Sequence, residues 1–186
     1  GTAANIAFNH ALLGGKAAVL GAVGEDFSDY RVWLEEAGVD TDGIKEISGE
    51  FTASFFANTD RGNAQIASFY PGAMGQSVSV ALTDLPYTPD LVVISPDDPE
   101  AMRRRVHECQ HMKIPYIYDP SQQIVRLGPD QLREGIAGAH MLIVNDYEFG
   151  LIKDKIDLDV ETVTGLGTAL AVTKGEQGST VYVNGS

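Results

Sequence analysis

A single cysteine, Cys109, is all the sequence contains, so no disulfide can form within the chain, and a reducing, cytoplasmic setting is the expectation. Basic charge is scarce as well: 13 Lys+Arg stand against 26 Asp+Glu, for a net charge of −13. That balance repels a phosphate backbone and excludes nucleic-acid binding through a basic stripe. No run approaches the ~18 apolar residues of a spanning helix, so no membrane partner is expected. Repeats and low-complexity tracts are missing too. What is present is an ordinary globular mixture, 44% hydrophobic and 21% charged over 186 residues. It suffices to bury one sizeable core and is too apolar for intrinsic disorder. The chain starts at Gly1 without a methionine and stops just after the turn signal Val183-Asn184-Gly185-Ser186, so a piece of something longer is expected.

Hydrophobic periodicity predicts a mostly buried helix over residues 3–13, with Thr2 as its N-cap and Gly14-Gly15 as its stop. Ala17 to Ala22 reads as a short strand, and Phe27 to Ala37 as an amphipathic helix ended by Gly38. Residues 46–72 change character. Phe51 to Ala57 and Gln65 to Tyr70 are β-branched and aromatic runs around Thr59-Asp60-Arg61-Gly62-Asn63, and predict a hairpin. Beyond Pro71-Gly72, strand and helix alternate: Leu91 to Ile94, Pro115 to Tyr118, Met141 to Val144 and Ala169 to Val172 are continuous apolar runs separated by helix-length segments. Continuous runs imply strands buried on both faces, hence an α/β fold with a mainly parallel sheet covered by helices.

Each of those runs ends in polar residues: Ser95-Pro96-Asp97, Asp119-Pro120-Ser121, Asn145-Asp146-Tyr147-Glu148 and Thr173-Lys174-Gly175. Ligands of open α/β sheets bind at the carboxyl ends of strands, although turns and helix caps use the same residue types. Asp119 reads as a turn residue and Asp146 as a helix-start cap.

His107-Glu108-Cys109-Gln110-His111 has the spacing of a zinc-hydrolase helix. It is set aside here. The apolar stripe of that helix is Met102, Val106 and Cys109, which turns both histidines toward Arg103, a cation that opposes a dication. Walker-type and dinucleotide glycine motifs are absent, as is a serine nucleophile elbow. What remains is a consistent set. Gly1-Thr2-Ala3-Ala4-Asn5 brings small residues and one amide to a helix start, suiting close approach of a hydroxylated ligand. Asn145 and Glu148 put an amide and a carboxylate at a strand end, where a carboxylate can organise hydrated Mg²⁺ near phosphates. Thr173-Lys174-Gly175-Glu176-Gln177-Gly178 is a glycine-bearing turn that can lie against a nucleotide or simply close a hairpin.

In this order the segments resemble the ribokinase or PfkB family of carbohydrate and nucleoside kinases. Gly1 to Ala7 is similar to its GGxxxN element, Gly21 to Asp26 and Leu34 to Thr41 follow as in that family, Asn145 to Glu148 matches NxxE, and Thr173 to Gly178 matches TKGxxG. Phe51 to Ser54 and Phe69 to Met74 resemble its adenosine-kinase-like branch. The resemblance implies a three-layer α/β/α fold whose core is residues 1–45 and 73–186, with a β-lid inserted at residues 46–72. It implies ATP-dependent phosphorylation of a primary hydroxyl of a sugar or nucleoside, with ATP and Mg²⁺ as cofactors and a monomer or homodimer as the assembly. Gly1 and Asn5 would contact the sugar hydroxyls. Asn145, Glu148, Thr173, Gly175 and Gly178 would serve the nucleotide, with Glu148 reaching Mg²⁺ through water. Packing within the lid is expected for most of Phe51, Phe55, Phe56, Phe69 and Tyr70. The family's GxGD motif, which supplies the catalytic aspartate, finds no match, nor does its first strand. No catalytic base is therefore assigned, and little or no kinase activity is expected of these residues alone. A non-catalytic nucleotide- or nucleoside-binding module is the alternative function.

Overall fold

The computed structural model describes residues 2–62 and 64–183. They form two compact units that divide between Pro86 and Tyr87.

The first unit opens with α1 (Thr2–Leu12), which runs into β1 (Ala17–Ala18) and β2 (Gly21–Val23). After a 3₁₀ turn over Glu25–Phe27 come α2 (Ser28–Glu36), β3 (Val39–Asp40) and β4 (Ile44–Glu46). The single strand expected over Ala17 to Ala22 is in fact split. β1 pairs in parallel with β3, and β2 in parallel with β4, so the chain changes partner around Val19 and Leu20. The partners β3 and β4 follow α2, which makes the crossover that parallel pairing requires. Gly38 ends α2 at φ +85°, a conformation open to glycine and strained for other residues. Ala7, Val19, Val23, Phe27, Leu34, Val39 and Ile44 form the core. Around it Phe8 stacks on Trp33 at 4.3 Å and Trp33 on Tyr30 at 5.3 Å.

The hairpin of this unit is β5 (Ser54–Thr59) paired antiparallel with β6 (Gln65–Tyr70), with Phe55 opposite Phe69 and Ala57 opposite Ala67. Every residue from Phe55 to Thr59 and across β6 is exposed on both faces of the ribbon. The expected packing of the hairpin aromatics does not occur: Phe51, Phe55, Phe56, Phe69 and Tyr70 all stay between 44% and 65% exposed. A two-stranded ribbon offers no second layer for them to pack on. A run of 3₁₀ turns over Gly72–Ser79 leads the chain out of β6.

The second unit is built from β7 (Val92–Ile94), α3 (Pro99–Met112), β8 (Tyr116–Tyr118), α4 (Pro129–Ile136), β9 (Met141–Asn145), α5 (Asp146–Ile156), α6 (Val160–Gly165), β10 (Ala169–Thr173) and β11 (Ser179–Tyr182). The sheet order is β11-β10-β9-β8-β7, parallel throughout except for β11, which runs antiparallel to β10. Burial on both faces holds best for β10, where Leu170, Ala171 and Val172 are all buried. β9 alternates between buried and half-buried residues, and Val93, on the edge strand β7, is 37% exposed.

The helices start where their caps dictate. Asp98 accepts from the Glu100 and Ala101 amides ahead of Pro99 at the first position of α3, and Asp159 accepts from the Thr162 amide at the start of α6. The expected stripe of α3 is buried, with Met102, Val106 and Cys109 between 0% and 2% exposed. Gly135 in α4 lies against the ring of Tyr118. A Cβ there would stand 2.4 Å from Tyr118 Cζ, so the helix approaches β8 only because that position carries no side chain.

Candidate functional site

The carboxyl edge of the parallel sheet gathers the polar residues of the second unit. Asn145 ends β9 and Thr173 ends β10, and the two are register partners on adjacent strands. Asn145 also begins α5. Its Oδ1 accepts from the Glu148 amide at 2.7 Å, and Glu148 Oε2 accepts from the Asn145 amide at 2.9 Å. The pair is thus a complete capping box, so the cap reading of these residues is realised in the geometry. It also fixes the carboxylate: Glu148 Oε2 is committed to the helix start, while Oε1 accepts from the Ser121 hydroxyl at 3.3 Å.

Ser121 belongs to the segment that follows β8, and it holds φ +40°, in the left-handed region. Two residues earlier stands Asp119. Its amide donates to the Ile94 carbonyl at 2.9 Å, tying the end of β8 to that of β7. Its carboxylate accepts no hydrogen bond from any described residue. Burial pushes this carboxyl up to about 6, and the charge of Glu148 adds to the rise. A half-buried carboxylate without a donor, facing a second carboxylate, is an unfavourable arrangement that a cation relieves. Asp119 is thus a residue before proline that also carries a raised carboxyl at a strand end. Sequence reading gave it no site role because aspartate before proline is what an ordinary turn would use. The position of Asp119 at a strand's carboxyl end, one strand over from Glu148, was the available signal. On the same segment Gln123 is 5% exposed, and its Oε1 has no partner among the described residues.

Thr173 to Gly178 closes the β10–β11 hairpin. The Lys174 amide donates to the Gly178 carbonyl at 2.7 Å, and Gly175 and Gly178 take φ of +57° and +81°. Thr173, Gly175 and Gly178 are exposed, so the backbone of the turn is open to a ligand lying along it. The second unit therefore brings Asn145, Glu148, Thr173, Gly175 and Gly178 to one edge of one sheet.

In the first unit, Gly1 lies outside the described residues. Thr2 does not cap α1 as expected. It lies within the helix, and its hydroxyl oxygen is buried with no partner among the described residues. Asn5, one turn on, is exposed, and no described residue bonds its side-chain amide. The start of α1 thus offers an unpaired hydroxyl and an unpaired amide on a stretch otherwise made of small residues.

His107 and His111 are both exposed on α3. His107 Nε2 lies 3.2 Å from Glu134 Oε2, an oxygen that Arg103 Nε also reaches at 3.2 Å. Among the described residues, no three His, Cys, Asp or Glu side chains gather as a metal site. Arg103 thus places a cation at the carboxylate that His107 also reaches, which opposes a dication there. His107→Ala is expected to shift stability by less than about 1 kcal/mol in urea unfolding, the range of exposed ion pairs, and to leave the protein's zinc content unchanged by atomic absorption.

Comparison with known proteins gives the family. The model of the pfkB family carbohydrate kinases matches residues 1–186. A nucleoside kinase of Methanothermobacter thermautotrophicus is 28% identical over 186 residues, covering 98% of this chain and 60% of that protein. The structure of Burkholderia thailandensis nucleoside kinase in complex with inosine superposes with a TM-score of 0.93 at 30% identity, covering 99% of this chain and 60% of that one. The same enzyme in complex with ADP-inosine gives 0.90. Methanocaldococcus jannaschii nucleoside kinase, an archaeal member of the ribokinase family, gives 0.92 at 25% identity, covering 100% of this chain and 62% of that one. The chain thus spans about 60% of the length of the curated nucleoside kinase and of the Burkholderia structure it matches. Among the described residues, no helix is long and apolar enough to cross a membrane. With its fold ribokinase-like and its whole length matched by the family model, the chain belongs to the pfkB family of carbohydrate kinases.

Proposed function

We propose that a polypeptide carrying this chain transfers the γ-phosphoryl group of ATP to a primary hydroxyl of a nucleoside, with free sugars as the wider acceptor class. The observation that carries the donor half of this reading is the carboxyl edge of the parallel sheet, where Asn145 and Thr173 are register partners, Glu148 is fixed at the helix start, and the turn through Gly175 and Gly178 lies open. The residues fit Mg²⁺, which binds through one or two carboxylates, retained water and substrate phosphates. Asp119 and the Oε1 of Glu148 would hold it, and bound there it would neutralise charge on the phosphates.

Each part of the chain then has a task. The capping box holds Glu148 still, so Oε1, which also accepts from the Ser121 hydroxyl, keeps one orientation. Asn145, Thr173, Gly175 and Gly178 line the nucleotide along the sheet edge. Gly1 and Asn5 bind the acceptor's hydroxyls, and the orphaned Thr2 hydroxyl supplies a further polar contact. Residues 46–72 are a lid on a core made of residues 1–45 and 73–186. The lid's exposed aromatics present a face on which a base can lie, and its closure would exclude water from the phosphoryl donor. Removal of the acceptor's proton is assigned to no residue of this chain.

Support for a nucleoside acceptor comes from the inosine held by the similar Burkholderia enzyme. The test grafts this chain onto the remainder of that enzyme and follows inosine with ATP and Mg²⁺ by phosphorus NMR. Appearance of the 5′-monophosphate supports the reading. A folded graft that binds both ligands and transfers nothing favours a binding module instead.

A further inference from the structure

The β5–β6 arm makes its firmest polar contacts at its root. The Asp26 carboxylate takes two bonds there through Oδ1, from the Thr52 amide at 2.8 Å and the Thr52 hydroxyl at 2.7 Å. The Thr52 hydroxyl oxygen in turn accepts from the Gly24 amide at 3.0 Å. Next to it, Glu25 Oε1 accepts from the Gly49 amide at 2.8 Å and the Ser48 hydroxyl at 3.1 Å, and the Glu25 amide donates to the Glu50 carbonyl at 3.0 Å. On the far side, the Ala73 amide donates to the Phe51 carbonyl at 2.9 Å.

Two glycines close the clamp. A Cβ on Gly24 would stand 2.4 Å from the Phe51 backbone, and one on Gly72, at φ +44°, 2.1 Å from the Phe51 carbonyl oxygen. Neither position can carry a side chain without moving the strand that enters the arm. Beyond Ser54 the arm is exposed on both faces, so packing contributes little to where it stands. Bonds to an ionised carboxylate are the strong ones at such a junction. The Thr52 hydroxyl and amide hold Asp26 below the ordinary carboxylate range, which keeps the carboxylate ionised and the bonds in place.

We propose that the Asp26 carboxylate and the Thr52 hydroxyl form a latch that sets the standing position of the β5–β6 arm, making both of them positioning residues. The latch is defined by contacts within the first unit, while its bearing on an acceptor rests on the lid reading above. It sits just past the carboxyl end of β2, the edge at which α/β sheets place ligands.

The chain provides its own probe. Trp33 is its only tryptophan, and Cys109 is 0% exposed with its thiol pushed up to about 12 by burial, so a thiol label goes to an added cysteine rather than to Cys109. In Ala57→Cys carrying an energy-transfer acceptor, time-resolved Trp33 emission reports the distribution of distances between arm and body. With no nucleoside present, Thr52→Val and Asp26→Asn are expected to broaden that distribution about twofold. Thr52→Ser, which keeps the hydroxyl, is expected to match the parent. Unchanged widths in both disrupting variants overturn the latch, and so does equal broadening in Thr52→Ser. Broadening accompanied by a lost urea transition in Thr52→Val, with Asp26→Asn folded and unbroadened, counts against it as well. Inosine is added only afterwards. A latch that passes while inosine leaves the distribution unmoved contradicts the lid reading alone.

Discussion

Asp119→Asn is expected to stabilise the chain by about 2 kcal/mol above pH 7 and by only about 0.5 kcal/mol at pH 4. Burial, and then the charge of Glu148, raise the Asp119 carboxyl from its ordinary 3.8 to about 6. The folded state therefore holds this proton more tightly than the unfolded state does. Stability contributed at Asp119 is highest at low pH, falls as pH rises from 3.8 through about 6, and is level above that. The whole difference corresponds to about 3 kcal/mol, which partial contact with water trims to about 2. Asparagine keeps the shape of the protonated acid and never ionises, so its advantage should grow along the same curve. Urea unfolding at pH 4, 5.5 and 7.5 measures it. Destabilisation by the substitution at pH 7.5 would mean that Asp119 has a donor in the fold and serves as a turn residue. A residue whose removal strengthens the fold is what a binding site leaves behind when its ligand is away.

Glu148→Gln separates cap from ligand. Glutamine fills the third position of a capping box as glutamate does, so the bond to the Asn145 amide survives. Unfolding free energy should change by no more than about 0.5 kcal/mol. The charge is lost, however, and affinity for ADP with Mg²⁺ should drop by about 10- to 100-fold, while affinity for ADP in the presence of a chelator should hardly move. Calorimetry under the two conditions reads both numbers. Equal affinity in parent and variant with Mg²⁺ present would leave Glu148 as a cap and nothing more.

Much of the second unit was legible in the sequence because four of its strands carry continuous apolar runs and its helices carry stripes and caps, whereas the polar edge strand β11 was not foreseen. Met102, Val106 and Cys109 specify the buried face of α3 without help from the rest of the chain. The first unit was read less well. β3 and β4 are two and three residues long, too short for any period to show, and they exist because β1 and β2 need partners. The hairpin was recognised, but its aromatics were expected to pack, and whether a ribbon has a second layer is decided by tertiary structure.

At the candidate site, Asn145, Glu148 and the turn after Thr173 were visible as a pattern, because cap and glycine positions are local. Asp119 was read as a turn residue because the rise of its carboxyl depends on what surrounds it. Desolvation and a facing carboxylate come from elements on either side in the sheet, and no spacing in the sequence encodes them. Thr2 illustrates the same limit: a residue within the helix rather than one place before it leaves its hydroxyl with no partner among the described residues instead of capping.

The most direct test of the proposed function is to follow the amide resonances of this chain during two separate titrations, one with inosine and one with ADP and Mg²⁺. Millimolar ligand reveals weak binding, so the outcome does not depend on turnover. Inosine should move Thr2 to Asn5 and the β5–β6 arm. The nucleotide should move Asp119 to Ser121, Asn145 to Glu148 and Thr173 to Gly178. Shifts from both ligands confined to other surfaces, or no shift from either at saturating concentration, would contradict a nucleoside kinase built on these residues.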